Sequence, residues 1–304
     1  MFKGVALVAF LVLAAGCGGG GAAKQRAEPP LFHDDARAPV RLRDRGRINH
    51  GYPIQVRDVS YAGARGRVSA FLVVPPGKGP FPAVLYLHGT AEDRTRLVVP
   101  AAWLAARGAV GLAIDSAFVH ARGPIPAGPI ARLRRERDLT VRTVVDLRRG
   151  VDLLQSLPQV DPHRIGFVGF SQGAKIGAIL AAVEHRIRAF DLMSGGSPTP
   201  QSFVASAPAS LRAPVLRILE QIDPVRYVRL AAPSALFFQD GSLDEYVPRA
   251  QLERLARAGS EPKRVRWYAA GHTLNAAAFR DQLTWLSHEL GIRGPVVPGA
   301  ATGP

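Results

Sequence analysis

The sequence contains a single cysteine, Cys17, in 304 residues, so no disulfide bond can form within the chain. Its stability must therefore come from a buried core, for which 47% hydrophobic residues provide ample material. Lysine is also scarce, because only five of the 39 basic residues are lysines and all the others are arginines. Charged residues make up just 21% of the chain, which indicates a folded protein and excludes a disordered one.

The net charge of +15 would suit an anionic membrane, nucleic acid or an acidic substrate. The sequence has no zinc finger, no RNA-binding aromatic motif and no long basic helix, so we expect no nucleic-acid partner. A general preference for arginine explains the charge more simply. Residues with the spacing of metal ligands are lacking too, and the sequence implies neither a metal nor an organic cofactor.

The chain begins with a short apolar run, Val5 to Ala15, far below the roughly 20 residues that a membrane-spanning helix needs. With Lys3 before it, this run is typical of an export signal. It leads into Leu-Ala-Ala-Gly before Cys17, which resembles a bacterial lipobox, although Ala14 stands where leucine is usual. We expect a signal peptide at residues 1–16, lipidation of Cys17 and attachment to a bacterial membrane in the cell envelope. An ordinary secretory signal is the alternative.

The rest of the chain divides into a tether, one domain and a tail. Residues 17–50 carry the lipidated cysteine and lack a clear apolar period. Gly18 to Ala27 predicts a flexible tether, and Glu28 to His50 predicts a partly ordered lead-in to the domain. Strands are predicted at Ile54–Ser60, Arg67–Val74, Ala83–Leu87, Ala109–Ile114, Arg164–Phe170, Ile187–Met193, Ser234–Gln239 and Val265–Tyr268, and helices at Asp138–Leu157, Gln172–Val183, Pro248–Ala258 and Asn275–Leu290. Their alternation predicts an α/β domain over residues 51–293, with a doubly wound, mostly parallel sheet of about eight strands and an antiparallel start. Residues 294–304 are predicted to form a loose tail.

The alternation is interrupted after the sixth predicted strand, by the segment Ser194–Leu230. Within it, Val215–Ile222 has the pattern of an amphipathic helix. An insertion at this point would overhang the carboxyl ends of the strands, where ligands bind in such sheets. Two interpretations stay open, a small lid over a site or a plain structural excursion.

A serine between two glycines marks the junction of a predicted strand and helix, in Gly169-Phe170-Ser171-Gln172-Gly173. A sharp turn there would project the Ser171 side chain above the sheet and strain its backbone. Glycines on both sides would let the strand and the helix approach closely. The alternative is a dinucleotide-binding turn, but its Gly-x-Gly-x-x-Gly sequence is absent. The pattern predicts a nucleophilic serine.

A serine hydroxyl becomes a good nucleophile when a histidine takes its proton and a carboxylate orients that histidine. Three histidines follow Ser171 in the sequence. His185 comes too soon after the serine helix to reach back, and His288 lies within the terminal helix. His272 stands in a loop between the last strand and the last helix, so it is the predicted base.

The acid is expected in the loop after the seventh predicted strand, which offers Asp240, Asp244 and Glu245. Asp240 precedes a glycine, and an Asp-Gly pair is typical of a turn. Asp244 lies farther into the loop, shortly before Val247-Pro248, which starts the next helix. We therefore predict Asp244 as the acid and expect the longer side chain of Glu245 to point away.

Two backbone N–H groups are needed to stabilise the negative charge that develops on the substrate oxygen. One donor is predicted to be Gln172, which directly follows the serine. The other is predicted to be Thr90, in the loop after the third predicted strand. His88, in the same loop, is expected to support the loop by packing.

These motifs together resemble the dienelactone-hydrolase-like α/β hydrolases over roughly residues 55–292. The resemblance rests on the order and spacing of Leu87-His88-Gly89, the serine pentapeptide, Gly241-Ser242-Leu243-Asp244 and Gly271-His272. It implies the α/β-hydrolase fold and a serine esterase or related acyl hydrolase. Dienelactone hydrolase itself has a cysteine nucleophile, so the resemblance does not extend to that reaction. The catalytic domain of prolyl-oligopeptidase-type peptidases is also similar.

The sequence therefore predicts an exported serine hydrolase that cleaves a small carboxylic ester through an acyl-enzyme on Ser171. We expect a short or medium acyl chain, because nothing resembles the extended apolar lid of a lipase. A peptidase or amidase is the alternative enzyme, although no Glu-Glu pair is present to bind a substrate amine. A non-catalytic binding lipoprotein that keeps the fold is the alternative from another class.

Overall fold

A computed structural model of the chain describes residues 30–48, 54–205 and 207–294, through which a nine-stranded sheet runs. The strands are β1 (Arg43–Ile48), β2 (Val56–Gly63), β3 (Gly66–Val73), β4 (Phe81–Leu87), β5 (Val110–Ile114), β6 (Val160–Phe170), β7 (Ile187–Met193), β8 (Ala235–Gly241) and β9 (Lys263–Tyr268). Their spatial order is β1-β2-β3-β5-β4-β6-β7-β8-β9. The pairs β1–β2, β2–β3 and β3–β5 are antiparallel, and the remaining pairs are parallel. The predicted sheet with its antiparallel start is confirmed.

Helices cover both faces of the sheet. They are α1 (Val98–Ala106), α2 (Pro129–Ser156), α3 (Gln172–Leu180), α4 (Pro200–Val204), α5 (Ala209–Glu220), α6 (Pro224–Val228), α7 (Arg249–Ala258) and α8 (Ala276–Leu290). Successive residues of a strand point to opposite faces, and in β4 Leu85 packs into one apolar cluster whereas Tyr86 packs into the other. The first cluster includes residues of α2, α3 and α7, and the second includes residues of α1 and α8. The central strands thus lie between two apolar cores.

The folded domain begins earlier than predicted. Strand β1, which the sequence did not predict, lies within the lead-in of residues 28–50 that was expected to be only partly ordered. Nearly all its side chains are exposed, so no apolar alternation marks it in the sequence. Farther upstream, Phe32 is fully buried, with its ring edge-on to Tyr227 at 5.4 Å. Its carbonyl oxygen accepts a hydrogen bond from Arg148 of α2 at 2.8 Å. The predicted boundary at residue 51 is therefore too late.

The segment Ser194–Leu230 folds into the short helices α4 and α6 and the longer α5, which extends the predicted amphipathic helix toward its N-terminus. α5 packs against α2, and α6 packs against α3. The segment thus covers helices that lie on the sheet.

Within the described ranges, no helix has the length and apolar composition that crossing a bilayer requires. The predicted signal peptide, Cys17 and most of the predicted C-terminal tail lie outside those ranges.

Candidate active site

Ser171 occupies the turn between β6 and α3 with a φ of +54°, in the left-handed region that side-chain-bearing residues rarely adopt. The turn is tight on both sides of the serine. A Cβ atom on Gly169 would collide with the Gly173 carbonyl, and one on Gly173 would collide with the Leu87 carbonyl. Only glycine fits at these two positions, for the steric reason that the sequence pattern suggests.

The structure brings Ser171, His272 and Asp244 together in one hydrogen-bonded chain. His272 Nε2 lies 2.9 Å from Ser171 Oγ, and His272 Nδ1 lies 2.8 Å from Asp244 Oδ2. With its proton on Nδ1, the imidazole donates to the carboxylate and leaves Nε2 free to accept from the serine hydroxyl. The Asp244 side chain is only 2% exposed, so little water competes for its bond to the histidine.

Asp244 is held in place by its second carboxylate oxygen. Asp244 Oδ1 accepts hydrogen bonds from the backbone N–H groups of Tyr246 at 2.9 Å and Val247 at 2.8 Å. This short loop leads into α7 and fixes the carboxylate toward His272. The rings of Phe170 and Tyr246 lie beside the imidazole, with centroids 5.2 and 5.3 Å away.

The two other acids of this region differ from the sequence-based expectation. Asp240 does not form a turn: it lies within β8, where burial and the nearby charge of Asp244 raise its pKa to about 7. Glu245 does not point away, because its Oε2 accepts a hydrogen bond from the His272 backbone N–H at 3.1 Å. Its exposed carboxylate therefore supports the histidine loop.

Ser194 also contacts the loop that carries His272, and no sequence pattern predicts this contact. Its hydroxyl donates to the His272 carbonyl oxygen at 2.8 Å, and the side chain is fully buried. Ser194 has a φ of +51° and donates its own N–H to Gln239 in β8 at 2.8 Å. It thus ties the end of β7 to the loop that carries His272.

The predicted N–H donors, Thr90 and Gln172, line the same cleft as Ser171. Within the described part of the chain, neither backbone N–H donates a hydrogen bond, so both are available to a ligand. His88 supports the Thr90 loop as predicted: Nδ1–H donates to the Gly89 carbonyl at 2.8 Å, and Nε2 accepts from the Ser116 N–H at 3.0 Å.

The cleft over Ser171 has a volume of about 640 Å³ and is open to solvent. One wall belongs to the segment between β5 and α2, which contributes Phe118, Ala121, Ile125 and Pro126. Of the described residues in the segment Ser194–Leu230, only Gly196 and Pro198 line the cleft. Of the two interpretations of that segment, the contacts favour the structural excursion. Among the described residues, no cluster of three or more histidine, cysteine, aspartate or glutamate side chains could hold a metal ion.

Three features together are typical of one class of enzyme. They are a mostly parallel sheet, a strained serine between β6 and α3, and a histidine and an aspartate on the loops after β9 and β8. The chain is a serine hydrolase with the α/β-hydrolase fold.

Two protein families match consecutive parts of the chain and agree with this class. The acetyl xylan esterase family (AXE1) matches residues 47–193, and the serine hydrolase family (FSH1) matches residues 134–282. Each match covers slightly less than half of the chain. Together they run from β1 into α8 and support the α/β-hydrolase superfamily.

Solved structures share the fold over most of the chain. The acetyl xylan esterase from Paenibacillus sp. R4 superimposes with a TM-score of 0.70 and 21% identity, over 83% of this chain and 90% of that one. Acetyl xylan esterase 1 from Thermoanaerobacterium sp. JW/SL YS485 gives a TM-score of 0.65 and 19% identity, over 83% and 88% of the two chains. At these identities the likeness concerns the fold.

A curated relative is similar in sequence over a shorter stretch. Acyl-coenzyme A thioesterase 3 from Mus musculus is 28% identical over 130 residues, which are 43% of this chain and 27% of the mouse protein. The chain spans about a quarter of the length of the curated relatives that it matches.

Proposed function

We propose that the protein hydrolyses a carboxylic ester through a covalent acyl-enzyme on Ser171. The observation that carries this proposal is the hydrogen-bonded chain from Asp244 through His272 to Ser171. The matches to esterase and serine hydrolase families support the same reaction.

Each residue of the chain has a defined step in the proposed mechanism. His272 Nε2 takes the proton from Ser171 Oγ as this oxygen attacks the ester carbonyl carbon. The carbonyl oxygen becomes negatively charged and accepts hydrogen bonds from the N–H groups of Thr90 and Gln172. His272 then gives the proton to the leaving alcohol, and Asp244 stabilises the imidazolium in between. Water, deprotonated by His272, repeats the attack and releases the acid.

The test of the nucleophile is covalent labelling. A fluorophosphonate probe should label the wild-type protein, and Ser171→Ala should abolish labelling. The matched control is Ser202→Ala, which removes an exposed hydroxyl on α4 and should leave labelling intact. Equal labelling of Ser171→Ala and the wild type would contradict the proposal.

The acyl group is proposed to be short or medium in length. The cleft of about 640 Å³ is open to solvent, and one of its walls is the short segment between β5 and α2. The two similar structures are both described as acetyl xylan esterases, which also supports a small acyl group. Nitrophenyl esters of graded chain length test this: acetate and butyrate esters should exceed long-chain esters in kcat/KM, and the reverse order would contradict it.

We further propose that residues 1–16 direct export and that lipid-modified Cys17 attaches the enzyme to a bacterial membrane in the cell envelope. The short apolar run and the single cysteine support this. Mass spectrometry of the mature N-terminus should show a diacylglyceryl group on Cys17, and Cys17→Ser should release the enzyme or leave it unprocessed. An unmodified N-terminus at another residue would contradict lipidation.

A further inference from the structure

An unpaired lysine lies beside the candidate nucleophile. Lys175 is one helical turn after Ser171 on α3, where its N–H donates to the Ser171 carbonyl at 3.1 Å, and it lines the cleft. Lys175 is half-buried as a residue, and its ammonium group forms no ion pair or hydrogen bond with any residue in the described ranges. A charge that is partly removed from water without a partner is unfavourable, and a ligand of opposite charge relieves that cost.

Two arginines add to the positive charge of the same cleft. Arg135 donates to the carbonyl oxygens of Arg122, Gly123 and Pro124 at 3.2, 3.5 and 2.7 Å, and Arg132 donates to the Pro126 carbonyl at 3.0 Å. These partners are neutral, so they orient the guanidinium groups without compensating their charges.

The acidic residues near the cleft do not compensate the positive charge of Lys175, Arg132 and Arg135. Among the residues that the structure describes, Glu136 is the one acid that lines the cleft with the three cations, and it makes no ion pair with any of them. Asp223 shares a smaller neighbouring pocket with Lys175, but its carboxylate already pairs with Arg254 at 3.0 Å. The cleft over Ser171 therefore carries more positive than negative charge, and its apolar walls strengthen the resulting field.

We infer that the enzyme prefers esters that carry a negative charge, such as a carboxylate, on the part of the substrate that reaches Lys175. The inference rests on the proposed ester hydrolysis and specifies its substrate class. Lys175 would form a charge-assisted hydrogen bond with the anionic group and hold the ester carbonyl over Ser171. Lys175 would act by binding the substrate, so the preference for the charged ester should appear mainly as a lower KM.

Matched substrate pairs that differ in one charge test the inference. On the acyl side, 4-nitrophenyl hydrogen succinate is compared with 4-nitrophenyl methyl succinate. On the alcohol side, 3-acetoxybenzoate is compared with methyl 3-acetoxybenzoate. In at least one pair, kcat/KM of the charged ester should exceed that of the neutral ester by about tenfold at low salt. The ratio should decrease as salt screens the charges.

Variants assign the preference to the lysine. Lys175→Met, whose uncharged side chain is only one atom shorter, should bring the ratio of kcat/KM for the charged and neutral esters close to one. Lys175→Arg should retain most of the preference. Lys78→Met is the control, because Lys78 is exposed in the turn between β3 and β4 and does not line the cleft. This variant should leave the ratio unchanged.

The outcomes separate the two proposals. The charge inference would be overturned if the neutral ester were preferred in both pairs, or if the preference for the charged ester survived in Lys175→Met. Hydrolysis of the neutral esters would still support the proposed esterase activity. If none of the four esters is hydrolysed, the proposed function is wrong, and the inference that rests on it is wrong as well.

Discussion

Asp240 lies in β8 and Asp244 in the loop that follows it, and the two carboxylates differ in the hydrogen bonds that they accept. Asp244 accepts three hydrogen bonds in a fixed loop. The buried Asp240 has a raised pKa and a carboxylate oxygen, Oδ2, without a partner among the described residues. Only Asp244 is arranged to orient a histidine.

Changing each aspartate to asparagine should therefore separate their roles. In Asp244→Asn, the amide favours the wrong histidine tautomer, and we expect kcat to fall by about 10²–10⁴ while the protein stays folded. Asp240→Asn is the matched control and should keep most of the activity, because Asp240 makes no hydrogen bond with His272 and, with its pKa raised to about 7, is already partly protonated at neutral pH. Ester hydrolysis and thermal unfolding measure both. An active Asp244→Asn together with an inactive Asp240→Asn would refute the assignment.

Ser194 offers a second test among single residues, because we expect it to position His272 without touching the substrate. Removal of its hydroxyl leaves the His272 carbonyl without this donor, and we expect Ser194→Ala to lower kcat about tenfold with little change in KM. Ser234→Ala is a close control, since Ser234 is also buried and donates to a backbone carbonyl, that of Ile187, at 2.7 Å. Both variants should lose similar stability. Equal kcat values in the two variants would contradict a positioning role.

The sequence points to candidate site residues that have a local signal and misses candidates that depend on distant contacts. Ser171 has its two glycines, and His272 and Asp244 follow predicted strands. Ser194 and Glu245 show no such signal. Each contacts the backbone of His272, 78 and 27 residues away in sequence, and only the packing of the loops reveals this.

Among the elements, prediction succeeded where an apolar pattern was strong. The buried strand β7 has the predicted bounds, Ile187–Met193. α2 begins at Pro129, nine residues before the predicted Asp138, because its arginine-rich first turns bury no side chain until Thr140. α1 was missed because its alanine-rich, largely buried sequence has no polar face that would reveal a helical period.

The N-terminal segment around Phe32 provides a stability test at the scale of elements. Phe32 is fully buried among α2 and α6 residues, so Phe32→Ala should lower the free energy of unfolding by about 3–5 kcal/mol. Phe203→Ala, at a side chain that is 53% exposed on α4, should have a much smaller effect. Urea unfolding of the two variants measures the difference. Equal effects would show that residues before β1 do not belong to the folded unit.

For the whole molecule, buried carboxyls predict how stability depends on pH. Asp191 in β7 is fully buried, and this burial raises its pKa from 3.8 to about 8 despite a hydrogen bond from Gln282 at 2.7 Å. The folded state therefore holds a proton that the unfolded state loses above about pH 4. The stabilisation from this proton is complete below that pH and is lost as the pH rises through about 8.

We accordingly expect the free energy of unfolding to decrease from about pH 5 to about pH 8, and Asp191→Asn to make this decrease smaller. The asparagine mimics the protonated carboxyl and does not titrate. Urea unfolding at both pH values measures the slope, with Asp281→Asn as the control at a less buried carboxyl on α8. An equal slope in the wild type and in Asp191→Asn would contradict the prediction.

The two outer strands of the sheet, β1 and β9, have a consequence for the protein at high concentration. Edge strands present unpaired backbone groups that can join the sheet of another molecule. Here β1 carries three arginines in Arg43–Ile48, and β9 has the sequence Lys-Arg-Val-Arg in Lys263–Arg266. Although Arg45, Lys263 and Arg266 pair with nearby acids, two molecules that approached edge to edge would still bring an excess of like charge close to the strand spacing of about 4.8 Å. The arginine-rich composition thus opposes aggregation by sheet extension, and salt, by screening the charges, weakens that protection.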